Sequence, residues 1–208
     1  MPFQLIGKKI RMTSLPNDDG TRTPVTLIEL YPLVVVQVKT PETDGYWALQ
    51  VGWHKVKGHK LTKPEIGHQK GIEGLPHKFL CEFKLDGPAE HQVGDLLPWD
   101  ILTVGGKVKA ISITKGRGFT GVMKRHGFHG AKDSHGTSKV HRKPQSSGAT
   151  DAARVFKGTK KPGRYGNKRS TVLNLDVVDL DKESGLLVLK GSVPGANGGT
   201  IHVVPSGK

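Results

Sequence analysis

Thiol chemistry is almost missing from this chain: among its 208 residues Cys81 is the only cysteine. One cysteine cannot close an internal disulfide, which excludes the stapled architectures of small secreted domains. Aromatic residues are sparse at 6%, while glycine is abundant at 28 residues. That balance argues against a compact all-helical protein, because glycine weakens helix interiors. No run of about 18 apolar residues occurs, so no membrane-spanning helix is written in the chain. The start, Met1-Pro2-Phe3-Gln4-Leu5-Ile6-Gly7, has neither the basic start nor the apolar stretch of a secretion signal. A reducing, cytoplasmic setting is therefore expected. No Arg-rich amphipathic presequence of the kind that directs a chain into an organelle is present either. Acidic residues are also short: 18 Asp and Glu face 32 Lys and Arg, a formal charge of +14. Such an excess draws in polyanions, nucleic acid foremost and anionic membrane surfaces second. The length suffices for one good core and a small insertion, and is too short for several full domains.

The excess charge is not spread evenly. Between Lys115 and Arg169 stand fifteen Lys and Arg, opposed only by Asp133 and Asp151. The rest of the chain holds 17 basic and 16 acidic residues and is close to neutral. The basic segment also carries ten glycines and four histidines. Its large apolar groups, among them Phe119, Val122, Phe128, Val155, Phe156 and Tyr165, show no sustained period of 2 or 3.6. Too few are present to offset the chain entropy of ordering the segment, roughly 1–2 kcal/mol per residue. By itself it is expected to be mobile. Phosphates can order it by accepting Arg forks and backbone N–H groups, with glycine permitting close approach. A basic disordered tail would share this composition, but the segment is internal, with strand-like sequence on both sides. A loop of that length inside a domain usually has a function.

The flanking sequence reads as strands. Leu173, Leu175 and Val177 alternate with Asn174 and Asp176, the period of a half-buried strand. Lys182-Glu183-Ser184-Gly185 turns into Leu186–Leu189, and Asn197-Gly198-Gly199 turns into Thr200–Val204. Ile101–Val104 and Lys107–Thr114 around Gly105-Gly106 predict a hairpin. Val25–Ile28 and Leu33–Val38 predict two further strands, and Asp44-Gly45 a turn before Tyr46–Val51. The expected fold is therefore mainly β. A small β-barrel body would comprise residues 1–41, 91–118 and 168–208, with an irregular insertion over 42–90. Residues 119–167 form a long basic internal loop.

Catalytic readings find little support. Gly116-Arg117-Gly118-Phe119-Thr120-Gly121 matches a dinucleotide fingerprint, but the acidic residue required about 20 positions on is missing. No kinase signature accompanies it. His126, His129, His135 and His141 lack the cysteine or carboxylate partners of a zinc site, so no metal is assigned. Base stacking or phosphate contacts suit those histidines better. Cys81, in Lys78–Phe83, reads as a small buried apolar group rather than a nucleophile. Trp47, Trp53 and Trp99 are taken as packing residues. No catalytic residue, cofactor or small-molecule substrate is expected, and the chain is not read as an enzyme.

Gly118-Phe119-Thr120-Gly121-Val122-Met123-Lys124-Arg125-His126-Gly127-Phe128 resembles the signature of the universal large-subunit ribosomal protein three family, bacterial or organellar type. Ser134-His135-Gly136, His141-Arg142, Val155–Gly158, Gly163–Asn167 and Leu187–Gly195 continue the likeness in order, over essentially the whole chain. The resemblance implies a β-barrel body at the surface of the large ribosomal subunit. It also implies a basic loop running through ribosomal RNA toward the peptidyl-transferase region. It implies a non-catalytic role in assembly and in shaping that RNA, with rRNA and neighbouring ribosomal proteins as partners and no membrane. Arg11 stands where the family usually has glycine. Ala149–Ala153 contains no glutamine, so the methylated glutamine of many bacterial members has no counterpart.

On this reading the RNA-contacting residues are Lys115, Arg117, Lys124, Arg125, His126, His135, Lys139, His141, Arg142, Lys143, Arg154, Lys157, Lys160, Lys161, Arg164, Lys168 and Arg169. The loop tip nearest the catalytic RNA is expected at Gln145, Ser146, Ser147, Gly148, Ala149, Thr150 and Asp151. The residues alone leave two rivals standing: a non-ribosomal basic nucleic-acid-binding or RNA-chaperone protein, and an enzyme that uses the Gly-rich turn for a nucleotide.

Overall fold

Leu5 and Ile6 are consecutive and both fully buried, yet they belong to two different hydrophobic cores. Successive side chains on a strand face opposite sides, so strand β1 (Leu5–Pro16) is a wall shared by two layers. In this computed structural model, residues 4–72, 74–144 and 146–206 are described. The chain is mainly β and falls into two units, Met1–Ile113 with Arg169–Lys208, and Thr114–Lys168. After β1 the strands are β2 (Arg22–Leu30), β3 (Leu33–Lys39), β4 (Ala48–Lys55), β5 (His77–Lys84), β6 (Leu96–Leu97), β7 (Lys107–Ile113), β8 (Phe119–Thr120), β9 (Gly163–Arg164), β10 (Arg169–Asp181), β11 (Leu186–Lys190) and β12 (Thr200–Pro205).

Six antiparallel strands of the first unit close on themselves in the order β1-β12-β7-β10-β11-β2, a barrel with no free edge. Each sends alternate residues inward: Leu5 from β1, Ile28 and Leu30 from β2, Val108 and Ala110 from β7, Leu175 and Val177 from β10, Leu187 and Leu189 from β11, Ile201 and Val203 from β12. Lys9 is buried on β1, where its ammonium donates to the Val193 carbonyl at 2.6 Å, so the buried charge keeps a hydrogen bond.

Two local expectations fail here. Leu173 was expected on the same face as Leu175 and Val177, but it is 58% exposed. The register of β10 against β7 slips between Val172 and Leu175, and Asn174 takes a left-handed φ of 54°. This bulge reverses the phase, so Val172 rather than Leu173 packs on the core. The expected hairpin at Gly105-Gly106 also does not form, because Ile101–Val104 is not a strand. Instead Gly105 N–H donates to the Val177 carbonyl at 2.8 Å, and Val177 N–H donates to Gly106 at 2.9 Å. The turn is pinned to a strand distant in sequence.

The second layer is a four-stranded sheet ordered β5-β4-β3-β6. β3 and β6 lie in stretches assigned from sequence to the barrel, yet both pair in this sheet. Ile6 meets Leu33, Val35, Leu49, Val51, Trp53, Phe83 and Leu97 in its core. The stretch read as irregular thus supplies two full strands. The Asp44-Gly45 turn ends a one-turn helix, α1 (Pro41–Asp44). A second helix, α2 (Lys63–His68), starts with a capping box between Thr62 and Glu65. Beyond it, the buried Gln69 amide both donates to the His77 carbonyl, at 2.9 Å, and accepts from the His77 N–H, at 2.7 Å, extending β5 by a side chain. Cys81 is half-buried against the same core, and burial, then the Glu82 charge, pushes its thiol up to about 12. A thiol so poorly ionised near neutrality is a packing group.

His77 carries a pH consequence. Its side chain is fully buried, with neither ring nitrogen hydrogen-bonded among the described residues. Burial, then the Lys55 charge, holds it below the ordinary histidine value. His202 on β12 is lowered likewise, by burial and then by Arg169. The unfolded chain takes up these protons near the ordinary value of 6.5 while the folded chain resists. Stability is therefore full above that pH and falls below it, by up to about 1.4 kcal/mol per pH unit for each ring, until the folded rings protonate. Urea unfolding at pH 7.5 and 5.5 is expected to show this loss, smaller in His77→Phe. An equal loss in that variant would place the proton uptake elsewhere.

Candidate nucleic-acid interface

The Thr114–Lys168 unit holds fourteen Lys and Arg and two Asp. It has almost no core: among its described residues only Thr120 and Val122 are buried. Its order comes from backbone pairing. The two ends of the unit run antiparallel, with Thr114 N–H donating to the Lys168 carbonyl at 2.9 Å and Asn167 N–H to the Thr114 carbonyl at 3.1 Å. Arg117 N–H donates to Tyr165 and Tyr165 N–H to Gly118, both at 2.9 Å, and β8 pairs with β9. Gly166, at φ 73°, is required there: a Cβ would lie 2.0 Å from the Lys115 carbonyl oxygen. Helix α3 (Val122–His126) follows β8 and stops at Gly127. Five residues of helix are no dinucleotide-binding helix, so the glycine pattern before it serves the ladder.

The middle of the unit folds on a second close approach. Gly130, at φ 79°, would place a Cβ 2.1 Å from the His141 carbonyl oxygen. That same oxygen accepts the Ala131 N–H at 3.1 Å.

The candidate contact residues divide into two sets. Lys115, Arg117, Lys124, His135, Lys139, Arg142, Lys143, Arg154, Lys157, Lys160, Arg164, Lys168 and Arg169 are exposed. Arg169 belongs to the barrel, where β10 begins opposite Ile113. Arg125, His126, His141 and Lys161 are half-buried and hold the unit's own structure. Arg125 donates to the Lys161 carbonyl at 2.6 Å, and a ring nitrogen of His126 lies 3.1 Å from the same oxygen. His141 is hydrogen-bonded to the Lys132 carbonyl at 2.9 Å, with Asp133 3.6 Å away, and the Lys161 ammonium donates to Ser147 Oγ. Among the described residues, no Lys or Arg side chain of this unit is ion-paired. The expected tip, Ser146 through Asp151, is exposed throughout, with Ser146 Oγ donating to the Gly148 carbonyl at 3.0 Å. Gln145 lies outside the described residues.

Aromatic side chains in the unit were not singled out from sequence. The Arg117 guanidinium sits 5.3 Å from the Tyr165 ring centre and that of Arg154 5.2 Å from the Phe156 ring. Phe119 is 82% exposed, bare apolar surface among cations. Their signal was present, as aromatics in a segment whose apolar residues follow no core-forming period. Cations beside planar rings, without acidic partners, can bind a polyanion that also offers flat bases.

The family model for ribosomal protein L3 matches residues 100–187, which include this unit. The large ribosomal subunit protein uL3 of Pelotomaculum thermopropionicum is 46% identical over 208 residues, 100% of this chain and 99% of that protein. That of Carboxydothermus hydrogenoformans is 47% identical over 203 residues, 98% and 97% of the two chains. The Thermotoga maritima protein of the same name is 50% identical over 202 residues, 96% and 95%. With similarity of this level along its whole length, the chain belongs to the ribosomal protein L3 family.

Proposed function

We propose that this chain is a structural, non-enzymatic constituent of the large subunit of the cytoplasmic ribosome, and that its basic unit is the main contact with large-subunit rRNA. One observation carries the RNA contact: the charge excess is concentrated in residues 115–169, where, among the described residues, no Lys or Arg side chain is ion-paired. Neutralising phosphates releases their condensed counterions, which supplies affinity without any base contact. Arg117, Arg142, Arg154 and Arg164 can fork two phosphate oxygens each, whereas the exposed lysines act as point charges. Arg125, His126, His141 and Lys161 act as positioning residues beneath that surface. Residues 119–167 are the RNA-penetrating stretch of this proposal. Gln145 through Asp151 lie closest to the peptidyl-transferase RNA, and the barrel and its second sheet (the insertion with β3 and β6) meet neighbouring ribosomal proteins. The role is to support assembly and shape that RNA.

Footprinting of purified large-subunit rRNA tests this reading. The full chain should protect discrete sites across several salt concentrations. A variant with Lys139, Arg142, Lys143, Arg154, Lys157 and Lys160 all changed to Gln should lose them. Diffuse protection that fades uniformly with salt would instead indicate a general polyanion binder, the RNA-chaperone alternative.

A further inference from the structure

The β8–β9 ladder has one covered face and one open face. In antiparallel pairing, residues directly opposite share a face and successive residues alternate. Thr120 is buried, and its partner across the ladder is Gly163, against which the Arg125 guanidinium packs: a Cβ on Gly163 would come within 2.8 Å of Arg125 Nη1. That face is closed. Phe119 stands directly opposite Arg164 on the other face, and both are exposed. One residue beyond β9, the Tyr165 ring carries the Arg117 guanidinium 5.3 Å from its centre.

A phenyl ring at 82% exposure contributes little to the packing of this unit. Nor can it hydrogen-bond a phosphate. Its π-face can stack on a nucleobase, while the guanidinium beside it takes the phosphate of the same nucleotide; single-stranded nucleic acids are held by this pairing of ring and cation. The surrounding charge fits an RNA occupant and repels a basic protein.

We propose that the open face of this ladder is a stacking site for one unpaired RNA base, with Phe119 as the platform and Arg164 as the phosphate clamp beside it. The inference rests on the RNA-binding function above and adds a base contact to what was argued there from charge alone.

Salt separates the two kinds of contact. Binding of full-length wild type, Phe119→Leu, Phe119→Trp and Lys157→Gln chains to purified large-subunit rRNA would be titrated at several salt concentrations. Phe119→Leu keeps an apolar side chain but removes the π-face. It should weaken binding about tenfold at every salt concentration, leaving the slope of log affinity against log salt unchanged. Phe119→Trp should bind at least as tightly as wild type. Lys157→Gln should flatten the slope by roughly one unit. Wild-type affinity in Phe119→Leu would overturn the stacking site and leave that ring to a protein neighbour. A wild-type chain that fails to bind rRNA would overturn the function itself, and this inference with it.

Discussion

A chain in which a short turn joins Ile113 directly to Arg169 is expected to fold, and to bind large-subunit rRNA about a thousandfold or more weakly than the full chain at low salt. The design is permitted by register, because Ile113 and Arg169 are antiparallel partners in the barrel. A hairpin turn can bridge them without disturbing β7 or β10. The barrel core keeps every side chain named above, from Leu5 to Val203, so its cooperative urea transition should survive. The unit removed carries fourteen of the chain's 32 Lys and Arg but only two of its 18 acidic residues. If roughly six to ten of those cations reach phosphates, the full chain should lose on the order of 10³–10⁵ in affinity between 50 and 200 mM salt. The shortened chain should show little salt dependence. Retention of a steep salt slope would mean that the barrel itself carries the RNA-binding surface.

Among single truncations in the barrel, Leu189→Ala should be one of the most damaging, at about 3–5 kcal/mol. Leu189 is fully buried on β11, paired with Val177 on one side and Thr26 on the other. Removing its isobutyl group opens a cavity inside a closed ring of strands that has little freedom to collapse. For a chain of this size the thermal midpoint should fall by on the order of 10 °C. Leu173→Ala is the matched control. The two leucines are equal in chemistry, but Leu173 is exposed beside the β10 bulge, so its loss should stay within about 0.5 kcal/mol. Comparable losses for the two would mean that β10 runs in the phase its sequence alternation suggests, without the bulge.

The contrast between those leucines marks how far sequence reaches. Several strands were legible from composition and turns: Leu186–Leu189 after its Gly185 turn and Thr200–Val204 after Asn197-Gly198-Gly199 fall within β11 and β12. Charge concentration between Lys115 and Arg169 needed only counting, and the Gly118–Phe128 motif carried the family resemblance that full-length similarity supports. These are local properties of the chain, fixed by residue type and spacing. What they leave open is partnership. Alternation says that β3 has buried faces but not that it pairs with β4 and β6 instead of a barrel strand. It says nothing of β1 meeting β12 from the other end of the chain. A bulge likewise moves every later side chain by one face, and only the neighbouring strand decides where it falls. The same holds in the basic unit, where residue type makes Arg125 and Arg164 equivalent. Tertiary contacts turn the first inward to the Lys161 carbonyl and leave the second in solvent. Sequence determined where the charge lies and which stretches favour strands, such as those within β11 and β12. Only the tertiary structure decided which strands meet and which cations remain free, because those choices depend on contacts between residues far apart in the chain.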